Sequence, residues 1–389
     1  MKNCILLLLI SSITLSSFGQ NIENEPYAYF SKEYIEKYNN KSLVEIPEVS
    51  ELINIIMALH KDAEKEDNMF DVSTAYYKRV KEYFKELNSH PIIDVIHDNI
   101  HTITLLEEHN INVFSTESYD FYYNLKMNAC SYYFNESGTI VHNGAVKNFR
   151  DGDNLVNYYL DLIQDFSNKS NFRQFYKENK TYYDSLTSTY IRLNPIQKMQ
   201  DWLNKKFNYS YGSYMIYFSP LVNGAHSASF FNKGDFKQAF MFVCSIEPNL
   251  KVSMMEDEIM SSRPLFTEID HSYVNPLSDK YIEKINQSFS NRKKWANGDI
   301  TQGYHDAYMV FNEYMTFAIY SLYVYDNYPK ENLDKYVPLL EKLMVESRGF
   351  INFKDFNKVL LQKYKSNPNS KMPELYDHIL DWAVNVNKI

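Results

Sequence analysis

Residues 267–271 read Thr-Glu-Ile-Asp-His, and Glu268 and His271 keep the spacing of the second half of HExxH, the pattern with which zinc peptidases hold their metal. Histidines at i and i+4 of a helix lie about 40° apart around the axis, so both reach one ion while the glutamate after the first meets the metal-bound water. Here Thr267 stands where the first histidine belongs, and a hydroxyl is a weak zinc ligand beside imidazole, thiolate or carboxylate. A zinc peptidase also needs a third protein ligand, leaving the fourth position to a water whose pKa the metal lowers to about 7.

The candidate for that third ligand is Glu313, 42 residues beyond His271 in the run "VFNEYMTFAIYSLY". It shares a helical stripe with Met309, Phe317 and Tyr320, and Asp306 falls on the same stripe two turns earlier. A carboxylate on an apolar stripe is costly to bury unless it is paired or metal-bound. Three residues are candidate replacements for the missing imidazole. Asp270 lies about 60° around the helix from position 267 and about 100° from His271, and His226 and His305 are further options. Tyr273 and Tyr304 are candidates for polarising a substrate carbonyl. Spacing alone is weak support, because a chain with 10 histidines and this acid content gives about one ExxH by accident. A buried glutamate is also more often the partner of Arg, Lys or Tyr than a ligand.

The elements that must position these residues are mostly helical. "IPEVSELINIIMALH" puts Val49, Leu52, Ile53, Ile56 and Leu59 on one face, with Pro47 suited to a first turn. A helix capped near Ser73 runs through "TAYYKRVKEYFKEL" to the breaker "NSHP", and another spans Asp153 to about Phe166. After "DWLNKKF" the character changes: "SYMIYFSPLV", "SASFF" and "FKQAFMFVCSI" are rich in aromatic and β-branched residues, separated by "NGAH" and "NKGD". These predict a small antiparallel sheet. Helix signals then return at Pro264 to about Val274 and in four further segments. The class is therefore α+β, predominantly helical, divided as residues 20–207, mostly helical, and 208–389, with the sheet, the ExxH helix and the Glu313 helix.

The first residues, "MKNCILLLLISSITLSSFGQ", read as a signal peptide over 1–19, cut after Gly19 or Gln20. This predicts an exported protein, periplasmic or secreted. Cys4 precedes the apolar run, which argues against a lipid-modified cysteine, and no later segment is long enough to span a bilayer. Removing Lys2 takes the formal charge from -9 to -10, and no Lys/Arg block is present, so a nucleic-acid partner is not expected. Cys130 and Cys244 are left open between a disulfide and two free thiols.

Beyond these readings, the chain resembles a family of secreted bacterial proteins of unknown function whose typical members carry HEFxHxxxNP. The resemblance is carried by "IPEVSELINIIMAL", "YYKRVKEYFKELNSHP", "YFSPLVNGAHSASFF", "TEIDHSYVNPLSDKY" and "NEYMTFAIYSLY", in the family's order. "DHSYVNPL" directly after the ExxH is the sharpest of them. The resemblance implies a zincin-like metallopeptidase architecture with a sheet edge open to an extended peptide. Glu268 would be the general base, His271 a zinc ligand and Glu313 the third ligand. With Thr267 at the first ligand position, it implies a zinc site weakened or lost, and a pseudo-peptidase that binds a peptide or protein. The competing expectations are a working metal-dependent peptidase with a substituted ligand set and an exported helical protein with an accidental ExxH.

Overall fold

A computed structural model describes residues 28–388 except 66–68, 109–116, 151, 224–225 and 299. The segment 1–19, expected from the sequence to be a signal peptide, lies outside the described residues. The architecture is predominantly helical with a small mixed sheet, and the chain divides into two compact units. One, the sheet unit, comprises residues 25–193 and 211–249; the other, the helical unit, holds 194–210 and 250–389. This division differs from one at 207/208: the strands of 213–244 belong with the preceding helices, not with the ExxH helix.

In the sheet unit the strands are β1 (Lys41–Glu45), β2 (Tyr132–Phe134), β3 (Ile140–His142), β4 (Ser213–Ser219), β5 (Ser227–Lys233) and β6 (Phe236–Cys244). The helices are α1 (Lys32–Tyr38), α2 (Glu48–Ala58), α3 (Ala75–Tyr83), α4 (Pro91–Glu108), α5 (Glu117–Asn128), α6 (Leu155–Tyr158), α7 (Leu160–Ser170), α8 (Phe172–Glu178) and α9 (Lys180–Leu193). Helix α2 starts directly after Pro47 with Glu48 and Glu51 in its first turn, where acids suit the helix dipole. Every residue from Val49 to Ala58 is buried. The cap of α3 is Thr74, whose side chain accepts from the Tyr77 amide at 3.0 Å, one residue beyond the expected Ser73. The helix expected over 153–166 is broken at Tyr159 into α6 and α7.

The main sheet has the order β1-β4-β6-β5. Its β5–β6 hairpin is antiparallel, as expected, and its two-residue turn places Gly234 at a φ of 58°, the left-handed region such turns require. The pairing of β4 corrects the all-antiparallel expectation, since it lies parallel to both β1 and β6. Burial gives the reason: all seven residues of β4 are buried, whereas β5 is half exposed. A strand covered on both faces reads as an unbroken apolar run, the signature of a parallel interior strand. Cys130 and Cys244, both in this unit, form no disulfide.

The helical unit contains α10 (Ile196–Phe207), α11 (Met254–Ser278), α12 (Ile282–Ser288), α13 (Arg292–Trp295), α14 (Ala307–Asn327), α15 (Lys330–Lys342), α16 (Phe353–Ser366) and α17 (Met372–Lys388). Helix α11 starts at Met254, nearly three turns before the expected Pro264. Its start is a capping box, in which Ser253 Oγ accepts from the Glu256 amide at 3.3 Å and Glu256 Oε2 accepts from the Ser253 amide at 3.1 Å. Pro264 and Pro276 are accommodated inside it. Helix α14 begins at Asp306, whose carboxylate accepts from the Met309 amide at 2.8 Å, and is buried continuously from Val310 to Val324. Such a helix, buried on every face, has to sit in the middle of its unit. Among the described residues no helix is long and apolar enough to cross a membrane.

Candidate functional site

Helices α11 and α14 pack together in the helical unit and bring the ExxH residues to Glu313. His271 Nε2 lies 3.9 Å from Glu313 Oε1. The other ring nitrogen, Nδ1, lies 3.3 Å from Asn275 Oδ1, one turn further along α11. With the proton on Nδ1, that contact fixes the ring and turns the lone pair of Nε2 toward Glu313.

Glu313 is almost fully buried and already has partners. Its Oε2 accepts from Arg348 Nη2 at 3.1 Å, and its Oε1 accepts from the Tyr304 hydroxyl at 3.0 Å. The same Arg348 nitrogen donates to the Tyr304 oxygen at 2.9 Å, closing a three-membered network. Arg348 follows a π-helical turn over Leu343–Ser347, and its guanidinium stacks 4.8 Å from the Phe317 ring centroid. Burial opposes the charge on Arg348, but Glu313 and Tyr304 more than offset it and the guanidinium pKa is raised. Burial, and then the Glu313 charge, push the Tyr304 hydroxyl well above its ordinary range despite the opposing guanidinium.

Glu268, one turn before His271, is half-buried. Burial raises its carboxyl pKa, with Glu313 acting in the same direction and His271 and Arg348 opposing it. Asp270 is fully buried, and neither carboxyl oxygen has a hydrogen-bond partner. Burial, reinforced by the charges of Glu313 and Glu268, holds its pKa well above the usual carboxylate range, so the neutral acid is favoured. The buried Thr267 hydroxyl donates to the Pro264 carbonyl at 3.1 Å and is spent on its own helix.

The other candidates separate from this cluster. Tyr273 donates to Asn204 Oδ1 at 2.7 Å, Asp306 serves as the cap of α14, and His305 is exposed. His226 belongs to the sheet unit, with Nε2 3.5 Å from Cys244 Sγ. Arg348 is the residue that spacing arguments did not find. A signal for it existed, since it is the sole arginine after Glu313 in the sequence and a buried acid calls for a cation.

Among the described residues no group of three or more His, Cys, Asp or Glu side chains is arranged to hold a metal ion. No family model, no curated protein and no solved structure matches the chain.

Proposed function

We propose that the chain is an exported, zincin-derived pseudo-peptidase in which an arginine-locked carboxylate stands where a metal ligand would be, and that it acts by binding a peptide or protein segment. The observation that carries this reading is the meeting of His271 and Glu313 at 3.9 Å while Arg348 and Tyr304 occupy both Glu313 oxygens. The side-by-side packing of the ExxH helix and the Glu313 helix, which brings His271 and Glu313 together, supports descent from a two-helix zinc site. The donor set does not fit zinc, however. Thr267 supplies no imidazole and its hydroxyl is committed to Pro264. Glu313 is neutralised by the guanidinium, whose charge repels any cation entering beside His271. One imidazole then remains of the three protein ligands that a catalytic zinc requires.

The test is zinc per chain after dialysis. The natural protein should retain less than about a tenth of an equivalent, since a site short of ligands loses affinity by orders of magnitude. Thr267→His alone should bind weakly, and Thr267→His with Arg348→Met should approach one zinc per chain by restoring the imidazole and freeing Glu313. Stoichiometric zinc in the natural protein would instead favour a working hydrolase with Asp270 or His305 in its ligand set. No gain in the double variant would leave the ExxH accidental. Export is tested separately by N-terminal sequencing of protein recovered outside the cytoplasm, where a chain starting at Asn21 or Gln20 is expected and one starting at Met1 would refute it.

A further inference from the structure

The sheet unit holds a cavity of about 360 Å³, lined by none of the ExxH cluster and sized like a small-molecule site. Its floor is one face of the main sheet. Parallel register sets Glu45 beside Tyr217 and Met215 beside Phe240, and strand residues two apart share a face, so these four side chains point the same way. Phe149 closes one side, its ring edge-on to Phe240 at 5.0 Å. Helix α1 closes another. Its Tyr34, Lys37 and Tyr38 stand three and four residues apart on one helical face, and the Tyr34 hydroxyl pins that face to the sheet by donating to Gln238 Oε1 at 2.8 Å.

The polar groups of this lining are left with capacity to spare. Glu45 and Lys37 both face the cavity, and among the described residues neither forms an ion pair with the other or elsewhere. The Lys37 ammonium lies 4.8 Å from the Tyr38 ring centroid. Tyr217 is only 8% exposed, yet among the described residues its hydroxyl has no hydrogen-bond partner. A buried phenol in that state is costly, and a ligand in the cavity relieves the cost.

We propose that this cavity binds a free α-amino acid with an aromatic side chain. The ligand's carboxylate meets Lys37 and the Tyr217 hydroxyl, its ammonium meets Glu45, and its ring lies against Phe149, Phe240 and Met215. The charges decide the class. Opposite charges that do not neutralise each other fit a ligand carrying both signs, whereas a cation alone is repelled by Lys37 and an anion alone by Glu45. The aromatic walls favour a ring, which they meet edge-on or offset. Glu45 is reachable from solvent, yet enough protein surrounds its carboxyl that burial raises its pKa, with Lys37 opposing the shift. A ligand ammonium offsets the same desolvation. Burial also holds the Tyr217 phenol well above its ordinary range, so it stays a donor at physiological pH.

The experiment is isothermal titration calorimetry of the full chain with L-phenylalanine and L-tryptophan at pH 7. At least one should bind once per chain with a Kd below about 1 mM. The N-acetyl derivative of the tighter ligand lacks the ammonium, its carboxamide lacks the carboxylate and glycine lacks the ring. Each should bind at least about tenfold more weakly, the scale of one lost charged hydrogen bond or one lost aromatic contact surface. Glu45→Gln should weaken the amino acid about tenfold and leave the N-acetyl derivative unaffected, and Lys37→Met should weaken the amino acid about tenfold and leave the carboxamide unaffected. Damage to the fold weakens parent and derivative together, so the paired ligands separate it from a lost contact. The proposal is overturned if neither amino acid binds at about 10 mM, if the derivatives bind as tightly as the parent, or if the variants weaken parent and matched derivative alike or change neither.

Discussion

The Arg348–Glu313 pair offers the sharpest quantitative test, because it decides whether Glu313 is held by a protein cation. The side chains are 16% and 9% exposed and meet at 3.1 Å. At an effective dielectric of about 20, two unit charges at that separation attract by about 5 kcal/mol, and removing one partner of such a buried pair typically costs about 3–5 kcal/mol. Arg348→Met keeps an apolar stem over Phe317 while deleting the guanidinium, and leaves Glu313 with only the Tyr304 hydroxyl and the nearby His271. We expect a loss of about 3 kcal/mol. Adding Glu313→Gln should return about 2 kcal/mol of it, because the uncompensated charge is then gone. Urea unfolding followed by tryptophan fluorescence is suited to the measurement, since Trp202, Trp295 and Trp382 all lie in the helical unit. An unchanged m-value would confirm that stability, and not the extent of unfolding, has moved. Loss of less than about 0.5 kcal/mol in Arg348→Met, or strictly additive single and double variants, would refute the view that this pair neutralises a buried charge.

Two further perturbations follow from burial of titratable groups. Asp270 has a raised folded-state pKa, so between its unfolded value near 4 and its folded value the unfolded state alone gains by ionising, and stability falls as pH rises, by up to about 1.4 kcal/mol per pH unit. Asp270→Asn should therefore stabilise the helical unit at pH 7 and lose that advantage below about pH 4; an equal gain at pH 4 and pH 7 in tryptophan-monitored urea midpoints would contradict this. Lys126 has its folded-state pKa lowered to about 7, so its penalty is complete below pH 7 and fades as pH rises toward the unfolded value of about 10.4. Lys126→Met should raise the thermal midpoint measured by circular dichroism most at pH 6 and progressively less by pH 9, and a gain independent of pH over that range would count against the buried ammonium.

What the sequence determined by itself is the part of the structure governed by neighbours three or four residues apart. The apolar faces of α2 and α14, the turn at Gly234 and the placing of Glu268 and His271 one turn apart on a helix all follow from local periodicity and backbone chemistry. The expectation that the Glu313 helix packs beside the ExxH helix agrees with the 3.9 Å approach of His271 and Glu313, because an acid on an otherwise apolar helix has to face some partner. Which partner it faces was decided only by tertiary structure. Arg348 reaches Glu313 from 35 residues downstream, out of a π-helical turn that no short-range pattern marks. The parallel pairing of β4 and the short strand β1, which joins it from residues 41–45, were likewise settled by long-range contact. Strand type and helix period are recorded in adjacent side chains, whereas the pairing of strands and the neutralising of a buried charge depend on what the rest of the chain brings to the same place, and for Glu313 that is a guanidinium.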